Sequence, residues 1–253
     1  MKRLTNRVAV ITGAAQGIGR SIAERYVQEG AAVAVVDVNT EAGEKAAAEL
    51  TAQGGKAIFV KCDIARRGEV NAAAQAIREA LGPIDILINN AGITRPAMLH
   101  KMTDEQWHQV MDVHLNGSFY WLQAVVHDMI ERQWGRIIFV SSSTAQNGSI
   151  GQLNYSAAKS AVLGMVRTAA RELGKHNILV NAVAPAAATE MTKVIMNDPK
   201  FAEQQAAYLK QHPLRRSAEP EELAPTFVFL ASEESSYMTG QVLSVDGGSM
   251  LVR

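Results

Sequence analysis

Short runs of β-branched and aliphatic residues recur along the chain, at 8–11, 32–36, 57–60, 84–88, 136–140, 178–180 and 241–245. They show little polar alternation, which predicts strands buried on both faces of a parallel sheet. The longer alanine-rich stretches between them predict helices over about 17–29, 41–53, 67–80, 104–132, 155–174 and 220–231. Two of these carry start signals. Thr103 precedes Asp104-Glu105-Gln106 in a capping arrangement, and Glu219-Pro220-Glu221-Glu222 sets proline and acids in a first turn. Regular alternation of strand and helix predicts an α/β fold with a doubly wound parallel sheet of about seven strands flanked by helices. No linker or low-complexity tract interrupts it, so one domain is expected over residues 1–253.

One stretch departs from the alternation. Residues 186–215 mix Met191, Ile195, Met196, Phe201 and Tyr208 with polar positions. Following the sixth strand, this is where a lid over a cleft is expected; a plain pair of surface helices is the other reading.

Composition narrows the function classes. Lys+Arg and Asp+Glu both total 25, so no bulk attraction to nucleic acid or to an anionic membrane is expected. No apolar stretch approaches the ~18 residues of a membrane span. The N-terminus has no signal-peptide core, and a cytoplasmic protein is expected. The lone cysteine, Cys62, forms no internal disulfide, fits a reducing compartment and reads as a packing residue at a strand end. The six histidines show no metal spacing, so no metal site is expected. His114 reads as a packing residue, and Asn89 as a brace for backbone between strands.

The first strand runs into Thr12-Gly13-Ala14-Ala15-Gln16-Gly17-Ile18-Gly19, which opens the first helix. Glycines there let the chain turn sharply and bring backbone N–H groups towards a pyrophosphate at the helix N-terminus, as in a Rossmann-like site. Such turns also arise for steric reasons alone. Asp37 closes the second strand, 24 residues after Gly13, where a carboxylate bonds adenosine ribose hydroxyls and repels a 2′-phosphate. Gln16 offers no cation for that phosphate, and neither do Val38-Asn39-Thr40. The cofactor implied is NAD. A solvated strand-end acid is the alternative reading of Asp37.

Tyr155 and Lys159 are four residues apart on a predicted helix and share a face. A free phenol has a pKa near ~10, too high for a base at neutral pH, and an adjacent ammonium favours the phenolate. Tyr-x-x-x-Lys pairs are common on ordinary helices, so the pair alone decides nothing.

Taken together the pieces resemble the short-chain dehydrogenases/reductases over essentially the whole length. The matching residues are Thr12-Gly13-x-x-x-Gly17-Ile18-Gly19, Cys62-Asp63-Ile64, Asn89-Asn90-Ala91-Gly92 and Asn116. Ser142, thirteen residues before Tyr155, follows, with Tyr155-x-x-x-Lys159, Asn181-x-x-x-Pro185 and Val245-Asp246-Gly247-Gly248. The resemblance implies hydride transfer between NAD(H) and a secondary alcohol or its ketone. Tyr155 would exchange the proton, and Ser142 would bond the substrate oxygen. Lys159 would hold the nicotinamide ribose and lower the tyrosine pKa, and Asn116 would position a water leading from Lys159 to solvent. Asp63 and Ile64 would lie at the adenine, with Asn90, Ala91 and Gly92 on the ribose side. Ser141 and Ser143 flank Ser142 and leave its register open. Gln152, just ahead of Tyr155, joins Ser142 and Tyr155 as a substrate candidate. A homotetramer is implied by the resemblance.

The run Pro185-Ala186-Ala187-Ala188-Thr189 departs from the family pattern, which has glycine after the proline and threonine one residue later. Pro185 and Thr189 are the candidates for the nicotinamide amide. Two substrate classes stay open. A polyol or other secondary alcohol suits an NAD-type Asp37 and the amide-bearing run 144–150. A 3-oxoacyl group on an acyl carrier protein suits many relatives, although the positions expected to dock that acidic carrier hold Gln133 and His176. A non-catalytic dinucleotide sensor would be expected to lack Ser142, Tyr155 or Lys159.

Overall fold

The structure, a computed structural model, describes residues 2–187 and 213–250. Seven strands form one parallel sheet: β1 (Val8–Thr12), β2 (Ala32–Asp37), β3 (Lys56–Lys61), β4 (Ile86–Asn89), β5 (Gly135–Val140), β6 (Ile178–Pro185) and β7 (Val242–Val245). Their spatial order is β3-β2-β1-β4-β5-β6-β7. The chain winds outward from β1 to β3, then crosses back to lay β4 on the other side of β1. That reversal leaves a crevice at the C-terminal ends of β1 and β4, the place where open α/β sheets bind ligands.

Helices α1 (Gly17–Gln28), α2 (Thr40–Ala52) and α3 (Arg67–Leu81) are followed by α4 (Asp104–Met111) and α5 (Ser118–Arg132). The short α6 (Thr144–Asn147), the long α7 (Leu153–Leu173) and α8 (Pro220–Ala231) complete the set among the described residues. They cover both sheet faces, which accounts for the unbroken apolar runs. Ile22, Tyr26 and Phe227 fill one side of the sheet, and Val70, Trp121 and Val166 the other. Removing each such side chain from water stabilises the fold by about 1.5–3 kcal/mol. Both start signals are realised. Thr103 and Gln106 close a reciprocal capping box on α4, and Pro220 opens α8 behind a second box between Glu219 and Glu222.

Three local expectations are corrected. β3 and β7 are only partly buried, because they are the edges of the sheet. The helix expected over 104–132 is divided by a π-helical segment, Asp112–Gly117, which inserts a residue into the hydrogen-bond ladder and redirects the side chains there. Residues 144–147 of the amide-bearing run, outside every expected helix, form the single turn α6. The stretch 186–215, expected as a lid, lies mostly outside the described residues. No helix among the described residues is long and apolar enough to cross a membrane.

Candidate active site

The glycine turn between β1 and α1 sits at the topological reversal. Gly13 and Gly17 have φ of 65° and 58°, left-handed values that cost glycine nothing. A Cβ on Gly19 would lie 2.3 Å from the Gly13 carbonyl oxygen, and one on Gly13 would lie 2.8 Å from Ala91 Cα. The turn is held from β4. Thr12 Oγ1 accepts from the N–H groups of Asn90 and Ala91, and Asn90 Nδ2 donates to the carbonyls of Thr12 and Gly13 at 2.9 and 3.0 Å. Gln16 is the N-cap of α1 but its side chain bonds none of the free N–H groups, and no acid lies in the first turn. Those donors therefore face the crevice, with the positive end of the helix dipole behind them.

Asp37 reaches over the same turn. Its Oδ2 accepts from Ala15 N at 3.1 Å and its Oδ1 from Asn39 N at 3.0 Å, so two backbone bonds fix the carboxylate beside the glycines. Uncapped N–H donors, a cradle that any Cβ would fill and a fixed carboxylate fit a dinucleotide: pyrophosphate at the helix end, ribose at Asp37.

The loop after β5 and the first turns of α7 carry the candidate reactive side chains. Ser142 lies two residues beyond β5. Its Oγ accepts from Thr144 N and from Thr144 Oγ1, at 3.2 and 3.1 Å, which leaves its own hydrogen free to act on the Tyr155 phenol. Ser141 is buried and its hydroxyl has no partner among the described residues. Of the three consecutive serines, Ser142 is the one whose hydroxyl influences the Tyr155 phenol. Burial raises Tyr155 above its ordinary value, and the Ser142 bond opposes that rise. Lys159 lies inside the fold with Nζ 5.6 Å from the Tyr155 ring centroid, donating to the Val140 carbonyl at 2.6 Å. Burial brings its ammonium down to about 7.

Tyr155 is aimed by a residue that sequence reasoning passed over. Asn154 is wholly buried. Its Nδ2 donates to the carbonyls of Arg95 and Gln106, and its Oδ1 accepts from Tyr155 N at 2.8 Å. This bonds the first turn of α7 to α4 and to the loop after β4. An asparagine just inside a helix start was the available signal, since such residues favour bonds to nearby backbone.

The π segment separates two residues that the sequence treats together. Asn116 donates from Nδ2 to Asp112 Oδ1 at 2.8 Å, along its own turn. His114 faces the site instead, with its ring 5.1 Å from the Tyr155 ring and perpendicular to it. The other expected residues fall as follows. Ile64 is buried against Gly117, and Asp63 bonds Ala65 N and Arg66 Nε. Gln152 is the N-cap of α7 and bridges to Ala97. Ile18 packs at the edge of the core, and Pro185 ends β6 opposite Val245. Thr189 lies outside the described residues. Asn89 does not brace backbone as expected: neither polar atom of its buried side chain has a partner among the described residues. Cys62 is buried at the end of β3, its thiol pushed up to about 12 by burial and by Glu69 and Asp63, as a packing residue requires. No cluster of metal-ligating side chains occurs among the described residues.

A dinucleotide cradle and a Ser-Tyr-Lys set at one end of a parallel sheet are the equipment of a nicotinamide-dependent oxidoreductase. A family model described as enoyl-(acyl carrier protein) reductase matches residues 13–250, and the chain belongs to this family, within the short-chain dehydrogenases/reductases. It is 41% identical to the 3-oxoacyl-[acyl-carrier-protein] reductase FabG of Chlamydia muridarum, over 97% of this chain and 98% of that protein. Two solved structures superpose on it closely. A provisionally named gluconate dehydrogenase of Agrobacterium tumefaciens does so with TM-score 0.94 and 29% identity, covering 99% of this chain and 98% of the other. A provisionally named NAD(P)-dependent gluconate 5-dehydrogenase of Beutenbergia cavernae, with bound NADP at low occupancy, gives 0.92 and 34% over 98% of both chains.

Proposed function

We propose that the protein reduces the ketone of a 3-oxoacyl thioester to the corresponding hydroxyl, using NADH. Buried Lys159, its Nζ 5.6 Å from the Tyr155 ring centroid, with the Ser142 hydroxyl acting on the same phenol, carries this reading. A ketone oxygen inserted between the two hydroxyls takes a hydrogen bond from each. NADH, held by the Gly13–Gly19 turn, Asp37 and the Asn90-Ala91-Gly92 edge, would supply the hydride. Tyr155 then gives its proton to the developing alkoxide while Ser142 stabilises the negative charge. Lys159, close to the phenol ring, favours the phenolate left behind. Similarity to the Chlamydia reductase over nearly the full length of both chains supports the substrate class. The Asp37 carboxylate, fixed by two backbone bonds where a 2′-phosphate would be repelled, supports NADH.

The carrier is a separate matter. Gln133 and His176, expected where basic residues would meet an acidic carrier protein, bond each other at 3.0 Å on the surface. They present no fixed positive charge, so the reading is of a thioester reductase that does not rely on that docking surface. The likeness to the two proteins named for gluconate dehydrogenases favours a second reading, a dehydrogenase of a polyol or other secondary alcohol. Initial rates separate the readings. Acetoacetyl thioesters of a small thiol and of acyl carrier protein are compared with a polyol panel, each with both nicotinamide cofactors. Fast NADH-dependent reduction of both thioesters is expected. Turnover of polyols alone would select the second reading, and a strong preference for NADPH would overturn the cofactor assignment.

A further inference from the structure

Asn154 does more than hold the start of α7. It is wholly buried, and both polar atoms of its amide are engaged. Its Nδ2 donates at 3.0 Å to the Arg95 carbonyl, in the loop after β4, and at 3.0 Å to the Gln106 carbonyl, in the first turn of α4. An amide nitrogen has two hydrogens, so neither is left over. Its Oδ1 takes Tyr155 N at 2.8 Å. That N–H is one of those a helix start leaves free, and the side chain of the N-cap Gln152 serves none of them.

The bonds close a triangle. Arg95 Nε donates to Gln109 Oε1 at 2.7 Å, so the loop is fixed to α4 as well as to α7. Gln106, the α4 corner, is itself held in the capping box with Thr103. Ala97 N donates to the Gly151 carbonyl at 2.8 Å, a second stitch from that loop to the residues just ahead of α7. The glycine turn is held separately, by Thr12 and Asn90. Asn154 is the corner of the triangle that adjoins Tyr155 in the chain.

We propose that Asn154 is a positioning residue for Tyr155: by bonding α4 and the loop after β4 at once, it fixes where the phenol stands relative to Ser142. The inference rests on the proposed role of Tyr155 as proton donor. Asn154→Leu and Asn154→Asp take the arrangement apart. Leucine fills a similar volume and offers no hydrogen bond. Aspartate keeps an acceptor for Tyr155 N, so the helix start is preserved, but as a carboxylate it has no hydrogen for either carbonyl.

Each variant is measured for thermal melting, NADH binding by fluorescence and kcat for reduction of an acetoacetyl thioester. The ketone of the best polyol takes the thioester's place if the parent turns over polyols alone. Both variants are expected to bind NADH like the parent, since the glycine turn is held without Asn154. Both should lose at least about tenfold in kcat, because small misplacements of reacting groups are costly. The leucine variant, which adds no charge, is also followed in the direction of alcohol oxidation. Burial raises the Tyr155 phenol and Ser142 lowers it, while Lys159 on α7 and His114 on the π segment are the titratable groups against its ring among the described residues. A phenol that slips from Ser142 loses the lowering influence, so the limb where oxidation gains rate should move to higher pH. Parent-like kcat in the aspartate variant would overturn the proposal and leave Asn154 a helix cap. So would a leucine variant whose kcat falls while that limb stays in place or moves to lower pH, the mark of general loosening. If the leucine variant does not fold, the aspartate variant decides by its kcat and by recovery in acid. A protonated carboxyl regains one donor, so its deficit should narrow as pH falls, and a constant deficit would overturn the proposal. Tyr155→Phe is assayed alongside: an active phenylalanine variant overturns the proton-donor reading and this inference with it. An inactive one beside parent-like Asn154 variants overturns this inference only.

Discussion

Lys159 donates to the Val140 carbonyl at 2.6 Å, tying the middle of α7 to the last residue of β5. A buried ammonium costs stability, and the cost has a pH signature. Unfolded, the amine keeps its proton up to about 10.4; folded, it releases it near 7. Below about 7 both states are charged and the fold bears the full cost of burial. Between about 7 and 10 the unfolded chain binds more protons, so stability attributable to this group rises with pH. Lys159→Met is expected to raise Tm near pH 6, by about 2–4 °C for each kcal/mol relieved. The gain should shrink towards pH 10, and turnover should be lost at both. Thermal melts at the two pH values decide it, and a variant less stable than the parent near pH 6 would contradict the stated cost.

Ser142→Ala removes the hydroxyl that Tyr155 and Thr144 share. Loss of one donor to a developing oxyanion is expected to lower kcat by about 10²–10³. The freed Thr144 N–H and hydroxyl are partly exposed, so Tm should fall by only a few degrees. Steady-state kinetics should show the loss in kcat with little change in the NADH KM.

Asp37→Ala deletes a carboxylate fixed over the glycine turn. Affinity for NADH should fall about tenfold, the scale of a hydrogen bond to a charged group. NADPH, relieved of repulsion, should bind better than it does to the parent. Titration with both cofactors checks this, and an unaltered ratio of the two affinities would leave Asp37 a solvated strand-end acid.

Gly19→Ala places a methyl group 2.3 Å from the Gly13 carbonyl oxygen, so the turn must open. Overpacking of this kind costs about 1–3 kcal/mol. Because the strained atoms belong to the proposed pyrophosphate cradle, NADH affinity is expected to fall together with Tm. Calorimetric binding at a temperature well below the transition separates the two effects.

The sheet was legible because the signals that specify it are local and redundant. Every strand of the core shows its burial in a run dominated by apolar residues, and Thr103 and Pro220 mark their helices by cap chemistry that acts within one turn. Edges were not legible, because β3 and β7 differ from the core strands only in which neighbour is absent. In the site, Asp37 bonds the glycine turn at Ala15, and Lys159 lies 5.6 Å from the Tyr155 ring centroid, both pairs at the spacing read from the sequence. Asn116 bonds Asp112 along its own turn while buried His114 lies against Tyr155, in a π segment whose place no periodicity reveals. Asn154 escaped for a related reason: its partners, Arg95 and Gln106, lie 59 and 48 residues away in sequence. The lowering of the Tyr155 pKa expected from Lys159 also meets an opposing force. Burial acts on both groups, and in Tyr155 it outweighs the lowering influence, which comes from Ser142.

That balance bears directly on direction. With the phenol raised by burial, Tyr155 stays protonated through the neutral range and is ready to donate, so ketone reduction should persist there while alcohol oxidation gains rate as pH rises. The most direct test of the account is NADH consumption with an acetoacetyl thioester by the parent and by Tyr155→Phe, with NADH binding measured on both. The account predicts equal binding and a fall in kcat of at least about 10²-fold, the scale of losing a positioned acid. A phenylalanine variant that still reduces the thioester at a rate close to that of the parent would contradict it.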